Sequence, residues 1–121
     1  MREDASLTCN GYGGHLVTIS KCDQLYHVSR ILKDLDIDFY WIGLYRATTD
    51  DPFEWGDGDK SMFRSWAYAR PTSASYLCVR GTVNSGGMDQ WYDVPCTDER
   101  YAVCKLKGKC LLILFLMITH D

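Results

Sequence analysis

Apolar residues recur at Leu25, Val28, Leu32 and Leu35, at spacings of three, four and three. This is one stripe on a helix of about four turns, with Lys21, Gln24, His27, Arg30 and Lys33 on its wet side. Ser20 stands where an N-cap belongs, and Asp23 three residues on complements the helix start. A shorter helical end is predicted over residues 3–9, where Ala5 and Cys9 stack four apart before Gly11, Gly13 and Gly14 break the pattern. Between the two, residues 15–19 form a β-branched run suited to an extended segment. After Asp38 the pattern changes. Residues 39–45 are continuous and apolar, as in a strand buried on both faces, and shorter strands are predicted at 76–79 and 101–104. Residues 48–87 are turn-rich, with Asp-Pro, Gly-Asp-Gly and Gly-Gly signals and scattered tryptophans. A compact domain seldom carries so long an irregular stretch without a function.

The 121 residues suffice for one domain with one sizeable core. A formal net charge of −3 offers no basic excess for nucleic acid. The longest apolar run, residues 111–118, falls well short of the roughly 18 residues that cross a bilayer, so no membrane insertion is expected. Six cysteines change the picture more, because an even and dense set points to disulfides and an extracellular or cell-surface destination. No apolar leader follows the charged Met1, Arg2, Glu3 and Asp4. The expectation is that the true N-terminus lies upstream; the alternative is a cytosolic protein that uses its cysteines otherwise. Spacing leaves several connectivities open. Zinc is disfavoured, since there is no Cys-x2-Cys pair and His15, His27 and His120 are scattered. An enzyme built on Cys22 or Cys110 with His27 as base lacks an evident acid partner and oxyanion loop, so a surface histidine and a spare cysteine are expected.

An ordered set of motifs then stands out. It runs from Ala5-x3-Cys9 through residues 14–19 (GHLVTI), residues 41–44 (WIGL), residues 53–58 (FEWGDG) and residues 63–66 (FRSW), with Pro71 five residues on. Cys78, Trp91-Tyr92-Asp93-x2-Cys96 and Val103-Cys104 complete it. In order and spacing the stretch from Ala5 to Lys105 resembles a C-type lectin-like domain. The resemblance implies an α+β fold, two helices flanking two small antiparallel sheets, with a long irregular loop carrying the ligand surface. It also implies the disulfides Cys9–Cys104 and Cys78–Cys96, leaving Cys22 and Cys110 without a family bridge. Trp41, Trp55, Trp66 and Trp91 read as core bodies that pin the loop. The chain departs from the family in lacking the first strand pair and in carrying Arg2 where a tryptophan usually opens the first helix. The domain is expected to span residues 1–106, with residues 107–121 an apolar tail outside it; the alternative is that the tail packs into the place of the missing strand.

Many members of that family bind sugar through calcium, which takes six to eight oxygens. The family's donors flank a cis-proline, precede the third cysteine and follow the last tryptophan. Here Pro71 is flanked by Arg70 and Thr72, Leu77 precedes Cys78, and Tyr92-Asp93 follows Trp91. Only Asp93 remains a clear donor, and the Arg70 cation opposes the ion. Asp50 and Asp51 fall near a second calcium site but read as solvated turn acids. The expectation is a non-enzymatic recognition module for a carbohydrate or protein ligand without the usual calcium-bridged contact and without a cofactor. The alternatives are a calcium-dependent carbohydrate-binding lectin with a rearranged loop and a structural or ice-binding member of the same fold. The candidate ligand residues are Arg70, Thr72, Tyr92 and Asp93, with Trp91 in support.

Overall fold

A computed structural model of the protein describes residues 1–72, 75–84 and 86–106, and the backbone of 111–115. The elements run α1 Arg2–Gly11, β1 Gly14–Leu16, α2 Cys22–Asp34, β2 Phe39–Tyr45, β3 Glu54–Trp55, β4 Cys78–Thr82, β5 Gln90–Val94, β6 Tyr101–Leu106 and β7 Leu111–Phe115. Strand β2 is the spine. It pairs antiparallel with β3 and β4 and parallel with β6, in the sheet order β1-β6-β2-β4-β5. The α+β class is as expected, but the two small sheets are one seven-stranded mixed sheet, joined where Tyr40 and Trp41 pair with Tyr101 and Ala102. The cause is the continuous apolar run of β2, whose five inner residues are all buried.

Helix α2 buries Leu25, Val28, Ser29 and Leu32. Leu35, the last residue of the predicted stripe, lies past the helix end and is exposed. Ser20 does not cap the helix; its backbone N–H and its hydroxyl both donate to Gln24 Oε1, at 2.7 and 2.9 Å. One apolar layer joins α2 to Ile42, Leu44, Val79, Trp91 and Val103. The other seats Ala5 and Cys9 of α1 against Trp41, Ala102 and Cys104. Both implied disulfides are present, with Cα separations of 5.4 Å for Cys9–Cys104 and 5.2 Å for Cys78–Cys96, and Cys22 is an exposed free thiol. Cys110 lies outside the described residues. Arg2, in place of the expected tryptophan, lays its guanidinium 4.6 Å over the Tyr45 ring and donates to the Gly43 carbonyl at 3.3 Å.

A buried polar node locks the layers together. The fully buried Asp89 accepts from Tyr40 Oη at 2.6 Å, Ser29 Oγ at 2.7 Å and the Asn84 N–H at 3.2 Å. Burial, and then the neighbouring Asp89 charge, raise the Tyr40 phenol well above its usual range, so it stays a neutral donor. The Tyr40 ring lies directly on the backbone of Gly81, where any side chain would meet it.

Strand β6 is paired on both edges. β1 and β2 share one edge, at residues 104–106 and 101–102, and β7 runs antiparallel along the other, with Tyr101 opposite Phe115 and Lys105 opposite Leu111. Residues 111–115 therefore meet the ladder groups of β6 along an edge that would otherwise be open to other chains.

Candidate functional site

The long loop between β2 and β4 is held by arginines that donate to its carbonyls. Arg46 Nε and Nη2 reach the Tyr76 carbonyl at 3.1 and 2.9 Å, and its guanidinium sits 4.6 Å over the Phe53 ring. Arg64 Nη1 reaches the Phe63 carbonyl at 2.8 Å, and Nη2 the Phe53 carbonyl at 3.2 Å. Irregular backbone cannot satisfy itself as a helix or sheet does, and a guanidinium supplies several donors in a fixed fork. Beneath the loop Trp91 is an aromatic hub, edge-on to Trp55, Phe63 and Trp66 at centroid distances of 5.7, 5.8 and 6.2 Å. Its backbone also takes part: Trp91 N–H donates to the Ser65 carbonyl at 2.7 Å, and Ala67 N–H donates to the Trp91 carbonyl at 3.0 Å. The indole N–H groups of Trp41, Trp55 and Trp91 are buried without an acceptor among the described residues, so Trp55 and Trp91 pin the loop, and Trp41 the α1 layer, by packing.

The structure brings three of the five candidate ligand residues into direct contact. Arg70, which precedes the cis peptide to Pro71, donates from Nη1 to Asp93 Oδ1 at 2.9 Å and to the Asp93 carbonyl at 2.7 Å. Thr72 donates to Asp93 Oδ2 from its N–H at 3.0 Å and its hydroxyl at 2.7 Å. Asp93 is fully buried. Burial alone would push its carboxyl up, but the hydrogen bonds from the Thr72 hydroxyl, Arg70 and the Thr72 N–H together hold it below the usual carboxylate range. Tyr92 points to the opposite sheet face and joins the group only through Arg70, whose guanidinium lies 5.1 Å from its ring centroid. Trp91 is wholly buried, so its place is that of a support. An open groove of about 510 Å³ runs beside Pro71, lined by Pro52, Phe53, Met62 and Trp66. Asp51 is tied to the Thr48 hydroxyl at 3.1 Å.

Because the folded pKa of Asp93 lies below its unfolded value, the lock is fully present above the unfolded carboxylate pKa of about 3.9 and is lost as pH falls through the lower folded value. In an acid titration followed by near-ultraviolet circular dichroism, the loop signal should hold down to about pH 4 and fall only below it. A loop transition in the histidine range, shared by Asp93→Asn, would contradict this assignment.

Sequence reasoning missed Arg46, Arg64 and the Asp89 node. Their only sequence signal is a cation or an acid inside a turn-rich, aromatic stretch, which is also how a solvated loop reads.

The chain is similar to known proteins. Residues 2–106 match the lectin C-type domain. Human lithostathine-1-alpha is 31% identical over 108 residues, covering 87% of this chain and 65% of its own length, so the chain spans a little under two thirds of that relative. A solved structure of human lithostathine superposes with a TM-score of 0.80 at 32% identity, covering 88% of this chain and 83% of the other. Two type II antifreeze proteins, one described as calcium-independent and one as Ca2+-dependent, superpose with TM-scores of 0.71 and 0.72 at 25% and 27% identity. Each covers 84% of this chain, against 75% and 80% of the antifreeze chains. With its two disulfides, its aromatic-pinned loop and its cis-proline turn in place, the chain belongs to the C-type lectin domain family.

Proposed function

We propose that this ligand-binding module recognises a carbohydrate or protein ligand through its long loop without a calcium-bridged sugar contact and without catalysis. The observation that carries the reading is the closed Asp93. Both of its carboxylate oxygens already accept hydrogen bonds, and a guanidinium stands against one of them. A calcium ion needs several anionic oxygens converging at about 2.3–2.6 Å, and a permanently charged guanidinium opposes it. To take part, Asp93 would have to release both Arg70 and Thr72. The family fold itself decides nothing here, since it includes one antifreeze protein described as calcium-independent and one as Ca2+-dependent. Among the described residues no group of three or more His, Cys, Asp or Glu side chains is placed to hold a metal. The paired cysteines favour an oxidising setting, outside the cell or at its surface. No helix among the described residues is long and apolar enough to cross a membrane.

Titration calorimetry of the oxidised, folded chain with calcium chloride tests the reading. The expected result is no binding isotherm in the micromolar range, and none created by chelator washing. A micromolar isotherm that Asp93→Ala abolishes would return the protein to the calcium-dependent, sugar-binding alternative.

A further inference from the structure

The sheet face that carries α1 continues past the helix as an alternating row of guanidiniums and rings. Trp41, Arg80 and Tyr92 stand directly opposite one another on β2, β4 and β5, so their side chains share that face. Arg80 is sandwiched, its guanidinium carbon 4.4 Å from the Phe39 ring centroid and 4.7 Å from that of Tyr92. Arg70 reaches the same Tyr92 ring, and Arg100 reaches Phe39 at 5.4 Å. The row therefore reads Arg70, Tyr92, Arg80, Phe39, Arg100.

The outer two cations are matched. Arg70 pairs with Asp93, and Arg100 Nη2 meets Asp98 Oδ2 at 2.5 Å. Arg80 is not. Among the described residues it has no ion pair and donates no hydrogen bond, and its Nε is buried without a partner. The residue as a whole is half-buried, and its terminal nitrogens are not among the buried unpaired atoms. Burial, and then the nearby Arg100 charge, lower its pKa, and Arg70 lowers it further, while Tyr92 and the Asp98 charge oppose this in part. Cation–π contact offsets part of that cost but leaves the hydrogen-bonding fork unsatisfied.

We propose that this face is a second binding site, centred on Arg80 and sharing Arg70 and Tyr92 with the edge of the loop site, and that it takes a sulfated glycan whose sulfate group docks on the Arg80 fork. The chemistry favours that ligand in two ways. A guanidinium is weakly hydrated and planar, and it matches an oxyanion through paired N–H donors. The flanking rings hold the fork in place before the ligand arrives, and their exposed edges, Phe39 above all, offer apolar contact to a sugar ring rather than to a bare ion. Arg70 and Arg100 on either side are already matched by Asp93 and Asp98, so the Arg80 fork is the one that a sulfate would find open.

The test is titration of the oxidised chain with a sulfated heparin-derived hexasaccharide, alongside the same hexasaccharide with its sulfates removed and an oligoglutamate peptide of equal charge. Expected is salt-sensitive binding of the sulfated form that persists in chelator, with at least a tenfold loss on removal of the sulfates and in Arg80→Gln. The unaltered chain gives a mutation-independent readout, in which the Tyr92 and Phe39 ring proton signals should shift on addition of the sulfated form. Failure of the sulfated hexasaccharide to bind, equal binding by a folded Arg80→Gln variant, ring signals that stay fixed, or preference for oligoglutamate would each overturn the proposal. The calcium experiment on the loop is independent of all these outcomes.

Discussion

Removing the Cys9–Cys104 disulfide by the double substitution Cys9→Ala and Cys104→Ala should lower the unfolding free energy by about 4–5 kcal/mol, the largest loss expected of any covalent change in the chain. The bridge spans 95 residues, nearly the whole domain, and ties α1 to β6. Cross-linking so long a loop removes more freedom from the unfolded chain than closing a short one. The Cys78–Cys96 bridge spans 18 residues, and the corresponding double alanine variant should lose only about 3 kcal/mol. Alanine suits the test because Cys9 and Cys104 are fully buried, and a serine hydroxyl there would add a desolvation cost of its own. For a domain whose total stability is about 5–15 kcal/mol, the first loss brings the chain close to unfolding at body temperature. Urea unfolding of the three proteins at one pH measures both losses. A larger loss for the shorter loop would show that native-state strain, rather than chain freedom, sets the order.

Trp91→Ala should cost about 3–5 kcal/mol, and the damage should concentrate in the loop. The ring is the common partner of Trp55, Phe63 and Trp66, and no other described aromatic makes three such contacts. Its removal leaves a cavity between the sheet and the loop that the constrained turn segments cannot easily fill. Trp91→Phe should lose less, because it keeps an aromatic body and the lost indole N–H had no acceptor among the described residues. Chemical unfolding gives the free energies, and near-ultraviolet circular dichroism reports the edge-on ring cluster. A loss below about 1 kcal/mol for Trp91→Ala would mean that the Arg46 and Arg64 donors alone hold the loop in shape.

The parts of the fold that repeat were legible in the sequence, and the parts that converge from afar were not. The stripe of Leu25, Val28 and Leu32 and the unbroken run of β2 are periodic, so each predicts its own burial. The disulfides were legible through the order of the motifs around Cys9, Cys78, Cys96 and Cys104, and both are formed. That Arg70 brings a cation to the turn before Pro71 could be read from the sequence alone. That Arg70 and Thr72 would close on Asp93, 23 and 21 residues away, depends on a loop path no local pattern encodes. Tyr92 and Trp91 are neighbours on one strand, so they face opposite sides of the sheet, and period-two alternation places Asp93 with Trp91 and Tyr92 on the other face. Asp89 reads in the sequence as one more turn acid after Gly86 and Gly87, yet it is the buried acceptor joining α2, β2 and the turn before β5. Arg80 was passed over because a single arginine in a short strand has no signature until the sheet sets its neighbours.

The contact between Tyr40 and Gly81 couples several positions in the history of the chain. A Cβ at position 81 would fall on the Tyr40 ring, within 2.6 Å of its hydroxyl oxygen. Any replacement of Gly81 must displace that ring, and the hydroxyl would then leave Asp89. A fully buried carboxylate that loses a donor becomes a liability, and Ser29 and the Asn84 N–H cannot make up the difference without shifting α2 or the turn. Positions 40, 81 and 89 should therefore be exchanged as a set. Related chains with a side chain at 81 are expected to carry a smaller residue at 40 and an uncharged one at 89, and intermediates altered at only one position should be rare among survivors.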